Sequence, residues 1–87
     1  MNSFHLTNAF KHDLKKHYLA LVGVAWAEII GCLAKNEPVP AQYRDHALTG
    51  NFAGFRDCHV RPDLVLVYRI NGDTVELHRL ASHSDLF

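Results

Sequence analysis

The sequence has no net charge: nine Lys and Arg offset nine Asp and Glu across 87 residues. A neutral chain does not advertise a polyanion partner through its overall field, so any contact with nucleic acid must come from local placement of cations. Cysteine is scarce. Cys32 and Cys58 are the only two, one in an apolar helical run and one in an expected strand. They read as buried thiols rather than a disulfide framework, which fits a reducing cytosol. Paired ligand spacings are also missing. Cys58-His59, His78 and His83 are possible ligands, but no C-x-x-C or H-x-x-x-H pattern occurs, so neither a metal nor a cofactor is expected. No apolar run reaches the roughly 20 residues that span a bilayer, because the run beginning at Tyr18 meets Glu28 first. That run, between Lys15-Lys16 and Ala25-Trp26-Ala27, imitates a signal peptide. Against it, the preceding charged region is long and holds Asp13, and cleavage would remove helix needed to cover later strands. The expectation is an uncleaved cytoplasmic protein without a membrane partner.

What is present is histidine, seven in all. The stretch Tyr43–Asp63 concentrates His46 and His59 with Asp45, Asp57 and Asp63, three arginines and three aromatics. A second group closes the chain: Ser82-His83-Ser84-Asp85-Leu86-Phe87. Histidine is the side chain whose unperturbed pKa lies near neutrality, so several beside carboxylates suit proton transfer. The cations are divided. Lys11, Lys15 and Lys16 cluster early, whereas all five arginines lie from Arg44 onward.

The length allows one small domain, residues 1–87. Residues 2–6 read as a short strand. Thr7 or Asn8 offers an N-cap, and Phe10, Leu14, Tyr18 and Leu21 recur at helical spacing, with Lys11, Asp13, Lys15 and Lys16 on the opposite, solvated face. Gly23 marks a break into a second helix, Val24–Lys35, where Val22, Trp26, Ile29, Ile30 and Leu33 make a broad apolar face. Pro38 and Pro40 end it. After a turn-rich loop, Phe55–Val60 alternates as a strand with Phe55, Asp57 and His59 on one side. Leu64–Ile70 is almost continuously apolar and reads as a central strand. Asn71-Gly72 signals a hairpin, and Thr74–Leu80 returns. The order β-α-α-β-β-β predicts an α+β domain: a helix pair on one face of a small antiparallel sheet, the other face open and polar. Arg79 is ambiguous. A two-residue Asn71-Gly72 loop puts it opposite Leu64 on the core side, and a three-residue loop or a bulge reverses the parity of one strand.

Metal-free acid–base chemistry suits these residues best. RNA supplies its own 2′-hydroxyl nucleophile, so its cleavage needs a base, an acid and cations around the phosphate. Asp57 and His59 on one strand face fit the first two roles, and arginines such as Arg56 the last. A terminal Phe87 can stack on a base. Cys58 and His59 are adjacent strand residues and point apart, which argues against a cysteine nucleophile. His5, His12 and His17 read as solvated, and His78 as a surface partner of Glu76.

The pattern Glu37-Pro38-x-Pro40-x-x-Tyr43-Arg44-Asp45-His46-x-Leu48-x-Gly50, then Gly54-Phe55-Arg56-Asp57-Cys58-His59-Val60-x-Pro62-Asp63, then Tyr68-Arg69-Ile70, then Arg79-Leu80-x-Ser82-His83-Ser84-Asp85-Leu86-Phe87, resembles the YafQ family. These are type II toxin–antitoxin toxins of the RelE/ParE superfamily. The resemblance implies a RelE-like fold and a ribosome-dependent endoribonuclease that cuts translated mRNA in the A site. It also implies neutralisation by a cognate antitoxin, with operator DNA bound only through that antitoxin. The family's functional positions fall on His46, Asp57, His59, Asp63, His83 and Phe87, with Arg79 as a phosphate contact and His83 as the leading general acid or base. Arg56 is expected as a further RNA contact from its place on the strand. Phe52, Phe55 and Leu64 stand where tryptophan or tyrosine is common, and Ala81 where glycine is. Two rivals stay open: a ParE-like toxin that inhibits DNA gyrase without nuclease chemistry, and a degenerate toxin acting only as antitoxin partner or corepressor.

Overall fold

Thr7 starts the first helix of the computed structural model, which describes residues 1–87. Its backbone is extended (φ −70°, ψ 161°), and its Oγ1 accepts a hydrogen bond from the Phe10 amide at 3.1 Å. One of the amides that a helix start leaves orphaned is thereby satisfied. The elements follow in order: β1 (Ser3–Leu6), α1 (Asn8–His17), a 3-10 segment at Tyr18–Val22, α2 (Val24–Ala34), β2 (His46–Ala47), β3 (Arg56–Arg61), β4 (Leu64–Asn71), β5 (Thr74–Ala81) and a short α3 (His83–Leu86). The first helix ends a turn earlier than the spacing predicts, and the chain bends by 107° into α2. Beyond His17 the helical phase is lost, so Tyr18 and Val22 are exposed rather than core residues.

The sheet order is β1-β5-β4-β3-β2. The expected meander β3-β4-β5 is antiparallel, but β1 runs parallel to β5, with Phe4 beside Val75 and Leu6 beside Leu77. The sheet is therefore mixed, and β2, unforeseen in the loop, adds a fifth strand. Phe10, Ile29, Leu33, Cys58, Leu66, Tyr68, Val75, Leu77 and Leu80 interlock in one core between the helices and the sheet. Each fully buried aliphatic side chain of this kind contributes about 1.5–3 kcal/mol.

Past Leu77 the outer edge of β5 has no strand partner, and α1 closes it. Thr7 Oγ1 donates to the His78 carbonyl at 2.9 Å, and the Asp13 carboxylate accepts from the Leu80 amide at 2.9 Å. Asp13 also accepts from Arg79, at 2.7 Å from Nε and 3.3 Å from a terminal nitrogen. The sequence pattern put Asp13 on the solvated face; it is instead buried, and its three bonds satisfy it.

The β4–β5 turn is Gly72-Asp73, flanked by the pair Asn71 and Thr74, one residue later than expected; Gly72 takes the left-handed conformation (φ 64°) that this tight turn requires. The register then shifts between Val67 and Tyr68, leaving His78 as the extra residue and Arg79 opposite Val67. This bulge moves Arg79 to the face of Asp57 and His59, from which its guanidinium reaches Asp13 of α1 at the open edge of β5. That second face is also not open. Val65, Val67 and Ala81 are buried outside the helix-side core, and an aromatic cluster lies on it: Arg69 over the Phe55 ring at 5.0 Å, and Phe55 against His78 at 4.7 Å.

Candidate active site

Strand β3 carries Asp57 into the centre of the second face, where only 2 % of its surface is exposed. Burial raises its pKa above the usual carboxylate range, opposed by the nearby charges of His46, His59 and His83. Three histidines from three separate elements, β2, β3 and α3, thus lie within electrostatic reach of one carboxylate. One oxygen, Oδ1, has no hydrogen-bond partner and sits 3.2 Å from His46 Nδ1.

His46 is presented by a braced loop. Its Nδ1 lies 2.9 Å from the Arg44 carbonyl oxygen. That carbonyl can only accept, so the neutral ring is held with its proton on Nδ1 and a lone pair on Nε2. Arg44 reaches this position through a left-handed backbone (φ 54°, ψ 41°), a conformation costing an arginine of order 1 kcal/mol or more. The next residue fastens the loop to the sheet. Asp45 accepts from the Tyr68 hydroxyl at 2.6 Å and from two Arg56 nitrogens, each at 3.3 Å. Burial and this Asp45 contact push the Tyr68 hydroxyl pKa well up.

Arg56 therefore does not join the site. It alternates with Asp57, pairs across the ladder with Tyr68, and lies on the helix-side face with its guanidinium committed to Asp45. The expected RNA contact is instead part of the brace behind His46. Arg79 faces the right way because of the bulge, but two of its nitrogens are held by Asp13; its side chain remains one-third exposed. Asp63 is exposed in the β3–β4 turn, apart from any side-chain hydrogen bond.

The C-terminal tail folds back onto this face. Ser82 caps α3 by accepting from the Asp85 amide at 3.3 Å. The Phe87 ring packs 4.8 Å from His83 and edge-on to Phe52 at 5.2 Å, and Phe52 reaches Phe55 at 6.5 Å. A chain of rings thus links the tail to the start of β3 and sets His83 near Asp57. Phe87 stays half exposed. His78 does not pair with Glu76, which is held by Arg69 at 2.8 Å; burial against Phe55 lowers the His78 pKa below its ordinary value. Cys58 is fully buried and free, its thiol pKa pushed far up by burial. No three His, Cys, Asp or Glu side chains are grouped to hold a metal ion.

Sequence reasoning missed Asp45, Tyr68 and the Arg44 carbonyl as supports of His46. A signal for the first two was available: a tyrosine inside the apolar run of β4 needs a hydroxyl partner, and Asp45 stands beside His46.

Residues 2–87 match the family described as bacterial toxin of type II toxin-antitoxin system, YafQ. The mRNA interferase toxin YafQ of Escherichia coli K12 is 42 % identical over 50 residues, covering 58 % of this chain and 54 % of that one, so the aligned part spans about half of that relative. A copper-bound L66S mutant toxin from Helicobacter pylori superposes over 100 % of both chains with a TM-score of 0.90 and 41 % identity. The E. coli DinJ-YafQ complex superposes over 100 % of this chain and 99 % of its counterpart, with a TM-score of 0.84 and 28 % identity.

Proposed function

Because the chain belongs to the YafQ family of bacterial type II toxin–antitoxin toxins, we propose that it is a cytoplasmic, ribosome-dependent endoribonuclease that cuts translated mRNA in the A site. The observation that carries this reading is the placement of His46 3.2 Å from the buried Asp57, with His59 two residues along the same face of β3 and the tail bearing His83 folded back through the Phe87–Phe52 contact. His46, with its proton held on Nδ1, accepts the 2′-hydroxyl proton through Nε2. The resulting imidazolium lies against Asp57 Oδ1, the oxygen otherwise left without a partner. The 2′-oxygen attacks the adjacent phosphorus and the bond to the 5′-oxygen breaks. His83 returns a proton to that leaving oxygen, giving a 2′,3′-cyclic phosphate and a 5′-hydroxyl. His59 and the free edge of Arg79 stabilise the phosphorane charge. Phe87, half exposed beside His83, stacks on a base of the bound codon. Asp63, exposed in its turn, contacts substrate and takes no part in proton transfer.

A cognate antitoxin holds the activity in check, as the E. coli YafQ was solved with DinJ, and operator DNA is bound only through that antitoxin. Induction of the wild-type chain without antitoxin is expected to arrest growth, with the arrest lost in His83→Ala, since a positioned acid or base contributes about 10²–10⁴-fold. Arrest that persists in His83→Ala while DNA supercoiling by gyrase falls would replace this reading with a non-nuclease toxin.

A further inference from the structure

Five arginines serve a chain with no net charge, and the structure divides them sharply. Arg56 is bound to Asp45 at 3.3 Å, Arg69 to Glu76 at 2.8 Å and Arg79 to Asp13 at 2.7 Å. Arg44 and Arg61 have no carboxylate within ion-pair distance, and both line one open cleft of about 360 Å³ at the β3 edge of the sheet, with Gln42 and His59. No carboxylate is among the lining residues. Two neighbouring acids are engaged elsewhere, Glu28 accepting from the Tyr43 hydroxyl at 2.9 Å and Asp45 from Tyr68 and Arg56, while Asp63, two residues from Arg61, is exposed in its turn outside the cleft lining. The molecule thus cancels three arginine charges internally and leaves the other two together in a concave site.

From this placement we infer that the cleft is a phosphate subsite, in which Arg44 and Arg61 grip the backbone of the single-stranded RNA that flanks the scissile bond. Arginine's planar donor fork suits a phosphate bidentately. His59 is shared: it lines the cleft and stands two residues from Asp57 on the same face of β3, so the cleft adjoins the catalytic face and a strand leaving that face enters it beside His59. The register shift between His59 and Arg61 bends the end of β3 out of the straight ladder, which re-aims Arg61. Arg44 does two things at once, its carbonyl fixing His46 and its side chain lining the cleft, so the phosphate grip is tied directly to the base. The inference deepens the nuclease reading and rests on it.

The test uses binding, separately from cleavage. The probe is an RNA trinucleotide 2′-O-methylated throughout, which cannot be cut, titrated into the full chain and followed by NMR. Arg44→Asn keeps a residue that tolerates the left-handed backbone, and exposed Arg61→Gln leaves the fold intact. Wild type and His83→Ala are expected to show shifts at the amides of residues 42–44 and 59–62. The double variant is expected to bind about tenfold more weakly, with a log–log salt slope smaller by roughly one to two. Unchanged binding in the double variant, or shifts confined to other surfaces, would overturn the subsite. So would saturation of these amides by a glutamate-rich peptide with no response to the trinucleotide, which would assign the cleft to an acidic protein segment. Failure of wild type to cut mRNA on ribosomes would instead count against the nuclease reading, whatever the titration gives.

Discussion

Two buried aspartates carry opposite loads. Asp13 is penalised by burial, yet its bonds from Arg79 and the Leu80 amide bring its pKa below 3.8, so it contributes stability above that pH that is lost as pH falls through the lowered value. Asp57 is the reverse. Its raised pKa means the native state holds the proton more tightly than the unfolded chain, so its ionisation removes stability as pH rises from 3.8 through the raised value. Asp13→Asn is therefore expected to cost about 3 kcal/mol, the low end for breaking a buried pair because Arg79 is partly exposed, or roughly 15 °C in Tm. Asp57→Asn is expected to leave stability near neutral pH unchanged or higher while cutting RNA cleavage at least tenfold, since the His46 imidazolium loses its counter-charge. Urea unfolding from pH 3 to 7, beside a cleavage assay, separates the two; equal destabilisation by both substitutions would remove the distinction. His78 supplies a third titration. Its lowered pKa means stability fully present above 6.5 and lost as pH falls through the native value. In His78→Phe the loss of Tm over that window is expected to disappear.

Among the elements, the four-residue α3 has too few hydrogen bonds to persist alone, and the ring contacts of Phe87 with Phe52 and His83 hold it. Phe52→Ala is expected to lower Tm only slightly, because Phe52 is half exposed, and to raise the KM for programmed ribosomes as the tail samples positions away from Asp57. Faster amide exchange in residues 83–87 would report the released tail, and unchanged exchange would contradict the role. The helices, the three-strand meander and the short first strand were legible because each is written in local periodicity or turn chemistry. The parallel pairing of β1, the burial of Asp13 and the commitment of Arg56 were not. An ion pair spanning 66 positions, as between Asp13 and Arg79, leaves no local signature. The bulge at His78 was legible only as an alternative, since a single extra residue changes parity without changing composition. The residue types of the site were readable in the Tyr43–Asp63 and Ser82–Phe87 stretches; their convergence depends on the aromatic contacts that fold the tail back.

For the whole molecule, zero net charge does not mean an even surface. Carboxylates neutralise Arg56, Arg69 and Arg79, while Arg44 and Arg61 remain free at one edge of the sheet. Tyr18, Leu19, Val22 and Val24 form an exposed apolar stretch at the bend between α1 and α2, of the kind an amphipathic partner segment covers. Co-expression with the adjacent reading frame is expected to yield a stable, inactive complex; a high yield of this chain alone with no growth defect would contradict a toxin held by an antitoxin. The most direct test of the nuclease account maps mRNA ends by primer extension after adding the purified chain to ribosomes stalled at a defined codon. The account expects one new 5′ end within the A-site codon, cleavage about 10²–10⁴-fold slower with His83→Ala, and no cutting of the same mRNA free in solution. Uncut mRNA on wild-type treated ribosomes, or equal cutting by His83→Ala, would contradict it.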